Sequence, residues 1–246
     1  MTDFVILPDN PAPELAESIW VQGPEGRKVR MLYAPALSRF SKPRGTAIIC
    51  PGRTEFIEKY FEVARDMQAR GFAVVIFDWP GQGLSDRDLA DSKAGHVEDF
   101  DVFVSALGAG MAALGEKVVQ PQIVLAHSMG GAIALEALRK QVLVAEAAAF
   151  SAPMWGIKTP PLAGMVASFQ CALGQGGKVT SKHVEEETFE DNVVTHDKGR
   201  WLLQHALIES KPALALGSVT WRWVKSALDV VKRFTRSNAL AHLDMP

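Results

Sequence analysis

Residues 121–132 read PQIVLAHSMGGA, and this stretch decides how the rest of the chain is read. Ile123, Val124 and Leu125 form a short apolar run of the kind found in a strand buried on both faces. Ser128 follows at once, in the pattern Ala126-His127-Ser128-Met129-Gly130, and Gly130, Gly131 and Ala132 open a helix behind it. Ser128 is therefore expected on a sharp strand-to-helix turn, its hydroxyl above the sheet and the helix N-terminus aimed at it. Ala or Gly at 126, 130, 131 and 132 lets strand and helix approach without a Cβ collision. This is the pattern of a nucleophile elbow, with Ala126 in place of the usual first glycine. The bland alternative is a turn serine; the strand before, the helix after and the small residues at each crowded position favour the elbow.

Outward from the elbow, strands and helices alternate. Residues 18–22 and 27–34 read as a hairpin around Gly23-Pro24-Glu25-Gly26, and 46–50 as a short apolar strand. Phe56, Tyr60, Ala64 and Met67 mark one face of a helix over 56–70, closed by Gly71. Residues 73–78, AVVIFD, form the next strand, and Val97, Phe100, Val104, Leu107 and Met111 stripe a helix over 96–114. Residues 145–151, AEAAAFS, make the weakest strand candidate, because alanine is a poor strand former. The alternation specifies an α/β fold with a mostly parallel sheet covered on both faces.

From residue 153 to about 236 no strand interrupts the helical periodicity. Leu162, Val166, Phe169 and Leu173 make one stripe, Trp201, His205 and Ile208 a second, and Val219, Trp223, Ala227, Val230 and Phe234 a third. An all-helical insertion rich in tryptophan is expected to act as a lid over an apolar pocket; the alternative is that its aromatics pack its own core.

Composition excludes several classes. The chain has 246 residues, is 48% hydrophobic and 22% charged, and carries a net charge of −2 with interspersed signs, so no basic stripe gathers nucleic-acid phosphates. Cys50 and Cys171 are its two cysteines and lack metal-ligand spacing, which points to buried thiols in a reducing compartment and to no metal site. The N-terminus carries acids and prolines rather than the basic start and apolar core of a secretory leader, so none is expected, and no apolar run reaches membrane-spanning length. The expected location is cytoplasmic, with transient contact to a membrane surface at most. Gly81-Gln82-Gly83 begins a GxGxxG-like string, but Asp86 occupies the third glycine position; no dinucleotide site and no other cofactor is expected.

Four stretches carry a family resemblance, the elbow among them: CPGRTEFIEKY at 50–60, FDWPGQGLSD at 77–86, LAHSMGG at 125–131 and SAPMWGI at 151–157, with THDKGRW at 195–201 similar to a lid segment. Together they resemble the α/β-hydrolase superfamily and, within it, monoacylglycerol lipases and bacterial lysophospholipase-like serine hydrolases. The resemblance implies an α/β-hydrolase sheet with a helical lid insertion, a small acyl ester as partner, and an acyl-enzyme formed on Ser128. It also implies that the backbone N–H groups of Met129 and Arg53 form the oxyanion hole, each worth about 3 kcal/mol in the transition state. The turn after the first long strand usually reads His-Gly in this superfamily; Pro51-Gly52 stands there here. The Arg53 side chain is a candidate for meeting a polar head group. Acyl chains are expected against Met154, Trp155, Val166 and Phe169, just past the strand end at Ser151. Asp78 is expected in a structural loop, His127 beside the nucleophile on the wrong face to act as base, and His196 with Asp197 at a helix start.

A serine nucleophile needs a base. In this fold the order is Ser, then Asp or Glu, then His, each after a strand beyond the lid. His183, His196, His205 and His242 are the histidines after Ser128, and none follows such a strand. The sequence is accordingly expected to be shortened, with its last strands, catalytic acid and base absent, and to be inactive and poorly soluble alone. The expected divisions are a core over 1–152, a lid over 153–236 and the start of a further core segment over 237–246. Against the ester hydrolase stand an inactive binding or scaffold remnant, and a thioesterase, peptidase or acyltransferase built from the same parts.

Overall fold

The computed structural model describes residues 3–37, 42–182, 188–192 and 194–243. Six strands form one sheet in the order β1-β2-β4-β3-β5-β6. They are β1 (Glu17–Gln22), β2 (Lys28–Ala34), β3 (Gly45–Cys50), β4 (Phe72–Phe77), β5 (Gln122–His127) and β6 (Ala147–Ser151). β1 and β2 form the expected hairpin, β2 also runs antiparallel to β4, and β3 to β6 are mutually parallel. β3 and β4 are buried along their whole length, as doubly covered strands must be, which is why they read as unbroken apolar runs. The chain leaves β3 toward β4 on one side and returns to pair β5 on the other. The carboxyl ends of β3 and β5 therefore flank a topological switch point, the place where open α/β sheets bind ligands.

Helices cover both faces: α1 (Phe61–Ala69) on one, α2 (Asp101–Leu114) and α3 (Met129–Arg139) on the other. Both periodic helices are shorter than the sequence implied. Ile57–Tyr60 forms a 3-10 turn ahead of α1, where the Ile57 N–H donates to Asp78 Oδ1 at 2.9 Å; residues 96–100 precede α2 as a loop.

Asp78 is structural, as expected. Its carboxylate accepts from Arg30 Nε at 2.8 Å and from the N–H groups of Ile57 and Leu84, while the Arg30 fork also grips Glu58 at 2.8 and 2.9 Å. These side chains are fully buried. Burial pushes the Glu58 carboxyl up despite Arg30, and the two carboxylates hold the Arg30 guanidinium charged against that same burial. Gly83 lies against this cluster at φ +57°, and a Cβ there would fall 2.0 Å from Asp78 Cγ. The glycine string that resembles a dinucleotide loop is a wrap around a buried aspartate.

The helical region comprises α4 (Ala163–Ala172), α5 (Lys198–Ser210) and α6 (Trp221–Phe234). Asp197 caps α5, its Oδ1 accepting from Arg200 N at 3.1 Å, so the His196-Asp197 pair does begin a helix. α6 buries Ala227 and Val230 in the main core, and Arg233 reaches Asp99, Asp101 and Glu136 on the α2–α3 side. The stripe on α4 does not pack a core of the helical region: Leu162, Phe169 and Leu173 are 64%, 62% and 56% exposed. α4 packs instead through Ala167 and Gly164, the latter close to Leu228 of α6, because small residues let the two helix backbones approach.

β6 begins at Ala147, two residues later than expected, and among the described residues its outer edge has no strand partner. Cys50 and Cys171 are free; Cys50 is buried, which pushes its thiol up to about 12, whereas Cys171 is only half-buried rather than buried. Among the described residues no helix is long and apolar enough to cross a membrane.

Candidate active site

Ser128 sits at the carboxyl end of β5 with φ +49° and ψ −120°, outside the regions open to ordinary residues. The surroundings hold it there. Its N–H donates to Ser151 O at 3.1 Å, and its own carbonyl accepts from Gly131 N and Met154 N, both at 2.9 Å. The small residues have the expected reason: a Cβ on Gly130 would fall 2.1 Å from the Cys50 carbonyl oxygen, and one on Gly131 2.7 Å from Pro153 Cβ. Strain imposed by surrounding structure is the mark of a site whose geometry is over-determined.

Met129 is the first residue of α3, so its N–H has no intrahelical acceptor and the positive end of the helix lies at Ser128. The loop after β3 comes in from the other side. A Cβ on Gly52 would be 3.1 Å from Ser128 Cβ, which sets the Gly52–Arg53 backbone directly against the elbow. The Arg53 guanidinium turns away from this point: Nη1 donates to Gly217 O at 2.7 Å, and the group lies 6.0 Å over the Trp223 ring. Burial lowers the tendency of Arg53 to hold its proton. Its side chain is thus spent on the loop ahead of α6.

Around the elbow, Met154 packs against the main core and Trp155 stacks edge-on to Phe150 with centroids 4.9 Å apart. Val166 and Phe169 stand on the exposed row of α4. On the opposite sheet face, Ile49, Tyr60, Val63, Leu125, Ala149 and Phe150 line an apolar concavity of about 230 Å³ with His127 and Ser151 at its rim.

The described histidines lie elsewhere or are engaged. His127 Nδ1 is 3.0 Å from Ser151 O and its Nε2 3.9 Å from Glu55 Oε1. His96 pairs with Thr220 Oγ1 at 2.9 Å, and His205 bonds Trp201 O within α5 and stacks on that ring. His196 and His242 are exposed in loops, and His183 lies outside the described residues. Among the described residues, no imidazole bonds the Ser128 hydroxyl and no histidine, cysteine and carboxylate cluster could hold a metal.

One group escaped the sequence reading. Glu55, 5% exposed, accepts from Gly52 N, Tyr60 Oη and Lys59 Nζ at 2.5, 2.5 and 2.6 Å. Burial opposes its ionisation, but Lys59, Tyr60 and His127 outweigh that and hold its carboxyl below the usual range. Only the spacing Glu55–Lys59 on one helical turn hinted at it.

The architecture and the chain's relatives agree. Residues 41–245 match the family model described as serine aminopeptidase, S33. The chain is 35% identical over 192 residues to lysophospholipase L2 of Escherichia coli strain K12, covering 74% of this chain and 55% of that protein. It is 32% identical over 219 residues to a probable lysophospholipase L2 of Haemophilus influenzae, covering 85% of this chain and 68% of the relative. The chain thus spans about half the length of the Escherichia coli relative. Among solved structures, a soluble variant of the Saccharomyces cerevisiae monoglyceride lipase superposes with a TM-score of 0.67 at 17% identity, over 98% of this chain and 75% of that one. The family model, matched over residues 41–245, and the shared sheet place the chain in the serine aminopeptidase S33 family of α/β-hydrolases.

Proposed function

We propose that this chain carries the nucleophile and oxyanion hole of a serine ester hydrolase acting on lysophospholipids or monoacylglycerols. The observation that carries the reading is Ser128 itself, held at φ +49° between the α3 N-terminus and the Gly52–Arg53 backbone. Ser128 Oγ attacks the acyl carbon and loses its proton; the carbonyl π electrons move to oxygen, and the N–H groups of Met129 and Arg53 receive that negative charge. Collapse expels the alcohol, which takes up a proton, and leaves an acyl-enzyme that water hydrolyses. The relatives named as lysophospholipases support the substrate class.

In this reading residues 1–152 form the core and 153–236 a cap whose last helix, α6, anchors it to α2 and α3. Met154, Trp155, Val166 and Phe169 meet the acyl chain, and the exposed apolar row of α4 supports passing contact with a lipid surface. The free thiols support a reducing, cytoplasmic setting. The proton of Ser128 is not assigned to any described histidine, since none reaches it. That observation favours a second reading, a binding or scaffold protein that keeps the elbow without turnover. Hydrolysis of a short-chain p-nitrophenyl ester by the wild-type chain and by Ser128→Ala separates the two. The enzyme reading expects turnover above solvent that Ser128→Ala abolishes; equal rates for both proteins would remove Ser128 from the chemistry.

A further inference from the structure

Four backbone groups of the loop after β3, Pro51 O, Gly52 N, Gly52 O and Glu55 O, are held by side chains. Pro51 O accepts from Trp79 Nε1 at 2.8 Å, and Gln82 Nε2 donates to both Gly52 O at 2.9 Å and Glu55 O at 3.1 Å. The Gly52 N–H is taken up by Glu55 Oε2, and that carboxylate is itself locked by Tyr60 and Lys59. Thr54 sits at φ +64°, a strained conformation for a β-branched residue. In a trans peptide the carbonyl and the following N–H point in opposite directions. Gly52 O on Gln82 therefore fixes the 52–53 plane that carries the Arg53 N–H, while Gly52 N on Glu55 and Pro51 O on Trp79 fix the 51–52 plane before it.

We propose that Glu55, with Gln82, is a positioning residue of the oxyanion loop: Glu55 holds the 51–52 peptide and Gln82 the 52–53 peptide, so that the Arg53 N–H faces Ser128. This rests on Ser128 being the nucleophile. Neither side chain touches substrate; both act through a backbone plane. A carboxylate suits the role because its two oxygens accept three donors at once, Gly52 N, Tyr60 Oη and Lys59 Nζ, whereas an amide offers a single acceptor oxygen.

The test compares Glu55→Gln with wild type in two measurements. The first is the rate of covalent labelling of Ser128 by a fluorophosphonate, separated into the binding constant and the first-order bonding step. The second is amide hydrogen exchange at Gly52 and Arg53. The bonding step is expected to fall at least tenfold with the binding constant within twofold, and exchange at 52–53 to rise at least tenfold while β3 and β5 stay unchanged. An unchanged bonding rate, or faster exchange spread over β3 and β5, would overturn the clamp and leave Glu55 a fold-stabilising group. Should Glu55→Gln fail to fold, Gln82→Met removes the donor to Gly52 O and is read by the same two measurements. A wild-type chain that takes no label sinks the nucleophile reading, and the exchange at Gly52 and Arg53 then decides the clamp by itself.

Discussion

Gly130 has no room for a side chain, since a Cβ there meets the Cys50 and Pro51 carbonyl oxygens at 2.1 and 2.4 Å, and neither is the end of a flexible group. Gly130→Ala must push β3 from α3 and is expected to destabilise the chain by about 1–3 kcal/mol, measured as a lower urea midpoint. Arg30 makes a harsher case. Arg30→Met leaves Asp78 and Glu58 as buried, uncompensated carboxylates, and a loss of about 3–5 kcal/mol is expected in the same measurement. At Ser128, with no described imidazole in reach, the fluorophosphonate rate should climb steadily from pH 6 to 9, as it does when hydroxide takes the proton. A plateau above the usual histidine range would put an imidazole at the serine. The elbow was legible because its demands are local: strand, turn and helix lie within 121–132. Glu55 was not, because its partners Gly52, Tyr60 and Gln82 come together only when the chain folds.

Among the elements, α6 depends most on charge. Arg233 joins Asp99, Asp101 and Glu136, and Lys140 adds a contact to Asp101 at 2.6 Å. Burial works against the ionised forms of Glu136 and Asp101, but the bonds from Arg139, Lys140 and Arg233 win and hold both carboxyls below their ordinary values. Groups with lowered folded pKa stabilise fully above the unfolded value, and that contribution is lost as pH falls through the lowered one. Hydrogen exchange in α6 should therefore rise below about pH 4 before that of β3 and β4. Arg233→Ala is expected to produce the same loosening at neutral pH. Amphipathic period marked the apolar rows of both α6 and α4, but only that of α6 is packed into the core. Both show apolar stripes, but α4 docks through Gly164 and Ala167, a choice set by the approach of Leu228 rather than by any pattern along α4 itself.

For the molecule as a whole, the six strand segments read from the sequence are the six strands of the sheet, with ends displaced by a residue or two. Unbroken apolar runs at β3 and β4 could only be doubly covered strands, and the parallel sheet followed from the alternation with helices. What the sequence could not supply was the order β4-β3-β5, which brings the loop after β3 and the elbow after β5 side by side at the switch point. In the proposed mechanism this juxtaposition makes Ser128 the nucleophile. Its most direct test is to treat the folded chain with a fluorophosphonate and map the adduct by peptide mass spectrometry. The account predicts one modified peptide, carrying the phosphonyl group on Ser128 and absent from Ser128→Ala; a folded chain left unlabelled, or labelled on another serine, would contradict it.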